Sequence, residues 1–340
     1  MAQATARRSR GLLAVGLPVA GVVLAGIAVL SVFVGSKEIP AEVVVDAFTA
    51  FDPANNDHLF VRDERLPRTL VALLVGAALG VAGAVMQAVA RNPLADPGVL
   101  GINAGAAFFV VIGITVFGIS ALAGYVWFGF AGAMVASLLV YGVGALGREG
   151  ATPLKVALSG AAANAAFVSL TTAVLLTDTD AFDQFRFWQV GALSGRSMDV
   201  FHQVLPFIAL GLLIALASAR SLNALAMGDD LARALGQDVG RARITAGVAV
   251  VLLCGAATAS VGPIAFVGLA VPLLARGITG PDHRWLLPYS MVLAPILLLG
   301  ADIIGRVVAR PGELQVGILT AVIGAPVFIA LVRGRRVAAP

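Results

Sequence analysis

Charge is scarce in this sequence: only 12% of its 340 residues are Asp, Glu, Lys or Arg, about half the share carried by a soluble globular domain. Lysine is nearly missing, with Lys37 and Lys155 the only two among 23 basic residues. A phosphate-cradling G-x-x-x-x-G-K-[ST] loop needs a lysine followed by Ser or Thr. Lys37 precedes Glu38 and Lys155 precedes Val156, so the chain lacks that route to ATP hydrolysis. The single cysteine, Cys254, excludes a disulfide within the chain. His58, His202 and His283 are too far apart to suggest a metal-ligand set. No run of Asp, Glu and His threads an apolar stretch as a proton relay would, and no serine, cysteine or carboxylate constellation suggests a catalytic centre. Neither a catalytic residue nor a metal ligand is assigned.

What is abundant is apolar: 59% of residues are hydrophobic and the mean hydropathy is +0.95. A soluble fold of this length has too little interior to hide that surface. In lipid the backbone must satisfy itself, which leaves helices or a closed barrel. The apolar runs are continuous and about 20 residues long, the length of a spanning helix, and do not alternate as barrel strands do. The expectation is an all-α polytopic membrane protein, one transmembrane domain over 1–340. Ten spans are placed near 11–34, 66–90, 98–117, 121–146, 153–176, 200–219, 244–261, 264–276, 285–304 and 314–332. The seventh and eighth are divided by Gly262-Pro263. The first run follows Arg7, Arg8 and Arg10, exceeds a signal-peptide core and lacks a small-residue cleavage site, so it reads as a retained span.

Both ends are basic, with Arg333, Arg335 and Arg336 closing the chain, which places both termini in the cytoplasm and makes the span count even. Fifteen of the 23 basic residues then fall inside, as the positive-inside rule requires. An outer segment, 35–64, carries a short helix near 41–51. The 39 glycines include Gly76-x-x-x-Gly80, Gly101-x-x-x-Gly105 and Gly191-x-x-x-Gly195, read as tight helix seams within one bundle. Asp302, near the end of the ninth span, either sits at the interface or pairs with Arg306 one turn on.

Two polar interruptions stand out. The turn Asn92-Pro93-Leu94-Ala95-Asp96-Pro97 has prolines that forbid a continuous helix. The longest inward loop, about 221–243, reads as one short helix and room for a second. Asp229 or Asp230 could cap it, and Gly236 supplies a left-handed stop. From the residues alone, that loop fits a knob for a partner's groove and a helix resting on the membrane equally well.

Several stretches resemble one family. They are RLPRTLVALLVGAALGVAGAVMQAVARNPLADPGVLGINAGAA (65–107), WQVGALSGRS (188–197), MGDDLARALG (227–236), VGPIAFVGLAVPLLAR (261–276) and the segment from DHRWLLP to the last span (282–332). The chain is similar to transmembrane permeases of ATP-binding-cassette importers for iron–siderophores, haem and cobalamin. The resemblance implies ten helices in a plasma (inner) membrane and a second permease subunit, identical or paralogous. It also implies a cytoplasmic ATPase dimer that holds ATP and Mg, an extracytoplasmic substrate-binding protein, and no cofactor or nucleic acid on this chain. It implies ATPase coupling through Gly228, Asp229, Asp230, Arg233, Leu235 and Gly236. Binding-protein docking falls on Arg65, Arg68 and Arg306, although Arg65 and Arg68 also fit plain interfacial anchoring. A cytoplasmic gate falls on Asn92, Leu94 and Thr152. The alternative from another class is a self-contained secondary transporter.

Overall fold

A computed structural model describes residues 10–119, 121–146 and 152–334. Arg7, Arg8, Arg148, Arg335 and Arg336, used in the orientation argument, lie outside these. Among the described residues the regular structure is helical, with no strand. The order is α1 (Arg10–Phe33), α2 (Ala41–Thr49) and α3 (Asn56–Leu59), which runs through a π-wound turn at Phe60–Arg65 into α4 (Leu66–Ala90). A 3₁₀ turn at Pro97–Leu100 leads into α5 (Ile102–Thr115), then α6 (Leu122–Gly144), α7 (Pro153–Leu175), α8 (Thr179–Gln189) and α9 (Met198–Ala217). The inward loop holds α10 (Ala219–Ala226) and α11 (Asp229–Ala234), followed by α12 (Val239–Val261), α13 (Val267–Thr279), α14 (His283–Val308) and α15 (Val316–Gly334).

Among the described residues, seven stretches are long and apolar enough to cross a bilayer: α1, the continuous α3–α4, α6, α7, α9, α12 and α14. Three shorter apolar helices, α5, α13 and α15, stand at the other three expected positions. The break between α12 and α13 falls at Gly262-Pro263, as expected, with Gly262 at φ +80°. α12 begins five residues before the expected span, because Asp238 accepts from the Arg241 N–H at 3.0 Å and caps it. α8 has no counterpart in the hydropathy reading; Asp178 caps it by accepting from the Ala181 N–H at 2.9 Å.

α4 is the axis of the bundle. Of its apolar window 83% is buried, against 6% for α1 and 17% for α7. It packs against α14, α12, α13 and α9. The expected Gly76/Gly80 seam is internal: a Cβ on Gly76 would lie 2.6 Å from Pro295 Cα, and one on Gly80 2.6 Å from the Ser290 carbonyl. Gly105 likewise seats α5 on α6, 2.5 Å from the Gly132 carbonyl by the same measure. The third pair is not a seam. Gly191 and Gly195 lie in the loop between α8 and α9 with φ of +78° and +69°, where the chain needs left-handed backbone rather than close helices.

Among the described residues, every ion pair joins two segments expected on the same side of the membrane. The Arg68–Asp302–Glu313 and Arg91–Asp229–Arg243 pairs stand at opposite ends of the 25-residue α4.

Candidate functional site

At one end, α1 stops at Phe33 and leaves carbonyls without helical partners. Two arginines occupy those positions. Arg65 Nη1 donates to the carbonyls of Val32 at 3.0 Å and Phe33 at 2.8 Å, and its Nη2 to that of Lys37 at 2.6 Å. Arg306 Nη1 donates to the carbonyls of Ser31 at 2.8 Å and Val34 at 2.9 Å, and its Nη2 to Ser31 Oγ at 2.7 Å. Cations here also face the negative end of the helix dipole. Arg68 grips Asp302 through Nε at 3.1 Å and Nη2 at 2.7 Å, and reaches Glu313 through Nη1 at 2.6 Å. The second Asp302 oxygen holds Arg306 at 2.9 Å. The expected pairing one helical turn on is therefore present, with Arg68 as a further partner.

The three arginines expected to dock a binding protein meet here within the chain. Arg65, Arg68 and Arg306 are 2%, 8% and 1% exposed and form an internal brace. The carboxylate of Asp302 and the α1 carbonyls accept their hydrogen bonds. Glu313, in the loop before α15, belongs to the same brace. Burial pushes its carboxyl up, but Arg68, the Ser36 hydroxyl at 2.7 Å and Arg306 outweigh this and hold it below its ordinary value.

The opposite end carries the knob. Gly228, at φ +111°, precedes α11, and no side chain caps that helix. Asp229 instead turns inward. It pairs with Arg91 and with Arg243, whose Nη2 lies 2.9 Å away. Arg91 is the left-handed residue that ends α4, at φ +49°, and its Nε also donates to the Leu225 carbonyl at 2.9 Å. On the other flank, Asn223 Nδ2 donates to Asp282 at 2.7 Å while its Oδ1 accepts from the His283 N–H at 2.8 Å. Asp282 caps α14, and the Asn223 and Arg284 N–H bonds hold its carboxyl below the ordinary range against the upward push of burial.

α11 stops as expected. Gly236, at φ +78°, donates to the Arg233 carbonyl at 2.9 Å, and Gln237 donates to that of Ala232 at 3.0 Å, a Schellman stop. What the knob leaves outward is Met227, Asp230, Leu231, Arg233 and Leu235, all exposed. Asp230 and Arg233 pair with each other at 3.2 Å. The six expected coupling residues therefore divide: Asp229 fastens the knob, the glycines at 228 and 236 shape it, and Asp230, Arg233 and Leu235 face outward.

Each proposed gate residue bonds within its own turn. Asn92 Oδ1 accepts from the Leu94 N–H at 2.9 Å, and Thr152 caps α7 by accepting from the Lys155 N–H at 3.3 Å. α7 packs on the Pro97–Leu100 turn, which links the two regions. Asp96 accepts from the Gly98 N–H at 2.7 Å to start that turn; burial raises its carboxyl above the ordinary range. Elsewhere, a cleft between α5, α7 and α8 is lined by Ala104, Thr171, Thr172, Phe182, Phe185 and Gln189.

The comparisons with known proteins bear on this geometry. A model of the FecCD transport family matches residues 23–334. The chain belongs to the FecCD transport family. Among relatives of this FecCD chain, the ferric enterobactin transport system permease protein FepD of Escherichia coli K12 is 48% identical over 89% of this chain and 90% of its own. The probable siderophore transport system permease protein YfiZ of Bacillus subtilis is 46% identical over 85% and 87%. A metal-chelate type ABC transporter solved in an inward-facing conformation superposes with a TM-score of 0.82 at 28% identity, covering 94% of this chain and 98% of that one. The FecCD chain is a multi-pass, all-helical membrane permease.

Sequence reasoning missed Arg91 and Arg243 as partners of Asp229, since both look like ordinary positive-inside charges. Arg196 is a second residue that local pattern does not single out. In this FecCD permease Arg196 is 2% exposed, its Nε is enclosed without a hydrogen-bond partner, and burial lowers its guanidinium to about 10.

Proposed function

We propose that this FecCD permease is the membrane subunit of an ATP-driven importer of ferric chelates of the siderophore type. A cytoplasmic ATPase dimer holds ATP and Mg, a second permease copy or paralogue completes the path, and an extracytoplasmic protein delivers the chelate. The chain performs no catalysis. The names of its relatives, which include iron(3+)-hydroxamate and Fe(3+)-citrate import permeases, support the substrate class. In this reading the seven long and three shorter apolar helices make ten spans of the inner membrane, with both termini and the knob in the cytoplasm.

The observation that carries the reading is the knob. Its apolar tips, Met227, Leu231 and Leu235, stand out of the fold beside an Asp230–Arg233 pair, and such a surface suits a partner's groove better than water. Asn92, Leu94 and Thr152 sit in this reading where the path closes toward the cytoplasm. α7, exposed around most of its girth, offers Asn164, Ser169 and Thr172 amid alanines, a face better suited to a protein neighbour or a polar path than to lipid.

The test is uptake of ferric tris-catecholate into proteoliposomes holding the permease, ATPase and binding protein. Uptake should require ATP. Replacing Asp230 by Lys or Arg233 by Glu should strip the ATPase from the purified complex. Accumulation driven by an ion gradient in vesicles holding this chain alone would overturn the proposal.

A further inference from the structure

The knob is fastened to the bundle at two points, and one of them is the turn after α4. Arg91 is both the left-handed cap that ends that helix and the anchor of Asp229, and it holds the Leu225 carbonyl at the end of α10. From Arg91 onward a chain of short bonds runs to α5: the Ala95 N–H donates to the Asn92 carbonyl at 3.0 Å, the Leu94 N–H to Asn92 Oδ1 at 2.9 Å, and the Gly98 N–H to Asp96 Oδ1 at 2.7 Å. The whole 91–98 turn is thus stiffened by its own hydrogen bonds. Asp229 is shared between this turn and Arg243 of α12, so α11 cannot shift without pulling on both.

We infer that the Arg91–Asp229–Arg243 cluster is a latch, with Asp229 and Arg91 as positioning residues that convert displacement of the knob into movement of the 91–98 turn. The inference rests on the importer reading above and deepens it by naming the link between ATPase-facing surface and membrane path. The two arginines are not redundant. Arg243 joins Asp229 to the helix that follows the knob, 14 residues on, which holds it locally. Arg91 joins it to a helix 138 residues away in sequence, so that bond, beside the one from Arg91 to the Leu225 carbonyl, ties the knob directly to the 91–98 turn. The second fastening, Asn223 to Asp282 and His283, gives the knob a fixed point at the start of α14. A body tied at one fixed point and one bond to a stiff turn acts as a lever.

The experiment uses the complete complex in liposomes and reads uptake of ferric tris-catecholate per ATP hydrolysed. For Arg91→Gln the ATPase should still co-purify at the normal ratio, while uptake per ATP falls at least tenfold. Arg91→Lys, which keeps the charge but loses the forked grip on Asp229 and the Leu225 carbonyl, should fall between the two, about two- to fivefold below the natural chain. If Arg91→Gln does not fold, the lysine variant carries the test alone. An unchanged ratio of uptake to hydrolysis in the variant measured overturns the latch. So does a loss of uptake that merely tracks loss of the ATPase, because the cluster would then only hold the docking surface in shape. If the natural chain itself binds no ATPase, the importer reading falls, and the latch with it.

Discussion

Asp302 has no exposed surface, and two guanidiniums meet its carboxylate from different helices. Removing its charge leaves Arg68 with Glu313 alone and Arg306 with only neutral acceptors. Breaking a buried pair from one side costs about 3–5 kcal/mol, so Asp302→Asn should lower the thermal unfolding midpoint in detergent sharply; a loss under 1 kcal/mol would show the brace to be slack. Arg196 presents the opposite case, a nearly fully buried guanidinium whose Nε has no hydrogen-bond partner. An uncompensated buried ion costs several kcal/mol, so Arg196→Met should raise the midpoint of the isolated permease, and a fall would mean that the charge is compensated. Glu313 adds a pH dependence. Its carboxyl is held below the ordinary value of 4.5 in the folded chain. Its contribution is then complete above about pH 4.5 and disappears as the pH falls through the lower native value. Glu313→Gln should flatten the acid limb of a stability-against-pH curve.

At the scale of elements, close backbone approach sets what can change. A Cβ on Gly83 would lie 1.7 Å from the Gly268 carbonyl, so Gly83→Ala must part α4 from α13. Overpacking of this kind costs about 1–3 kcal/mol or more, and the midpoint in detergent would register it. Such positions were readable in outline. Continuous apolar runs located the long helices, Gly262-Pro263 located their one sharp break, and Gly236 located the end of α11, since each depends on local backbone rules. What local pattern could not supply was long-range pairing. Arg68 and Asp302 stand 234 residues apart, and nothing near Arg68 distinguishes a brace from a docking charge. Asp229 looked like a helix cap because its true partners lie 14 and 138 residues away. α8 escaped because its acidic first turn hides a buried face of Ala181, Phe185 and Trp188, whose spacing is helical but shorter than a hydropathy window.

For the whole molecule, the proposed topology of ten spans with both termini inside would place the two charged ends of the bundle in different compartments. The chain makes this unusually easy to test, because its only cysteine, Cys254, is buried at 3% exposure within α12. A single cysteine introduced at the surface should therefore be the sole target of a membrane-impermeant maleimide. Asp183 on α8 and Arg233 on the knob both have side chains more than half exposed, 62% in each case, and both pair only with a residue three positions away. Asp183→Cys should label in intact spheroplasts. Arg233→Cys should label only after the membrane is opened. An even number of crossings between residues 183 and 233 would put both cysteines on one side and label them together. That result would dissolve the assignment of the knob to the cytoplasm, and with it the geometric reason for an ATPase to meet α11 at all.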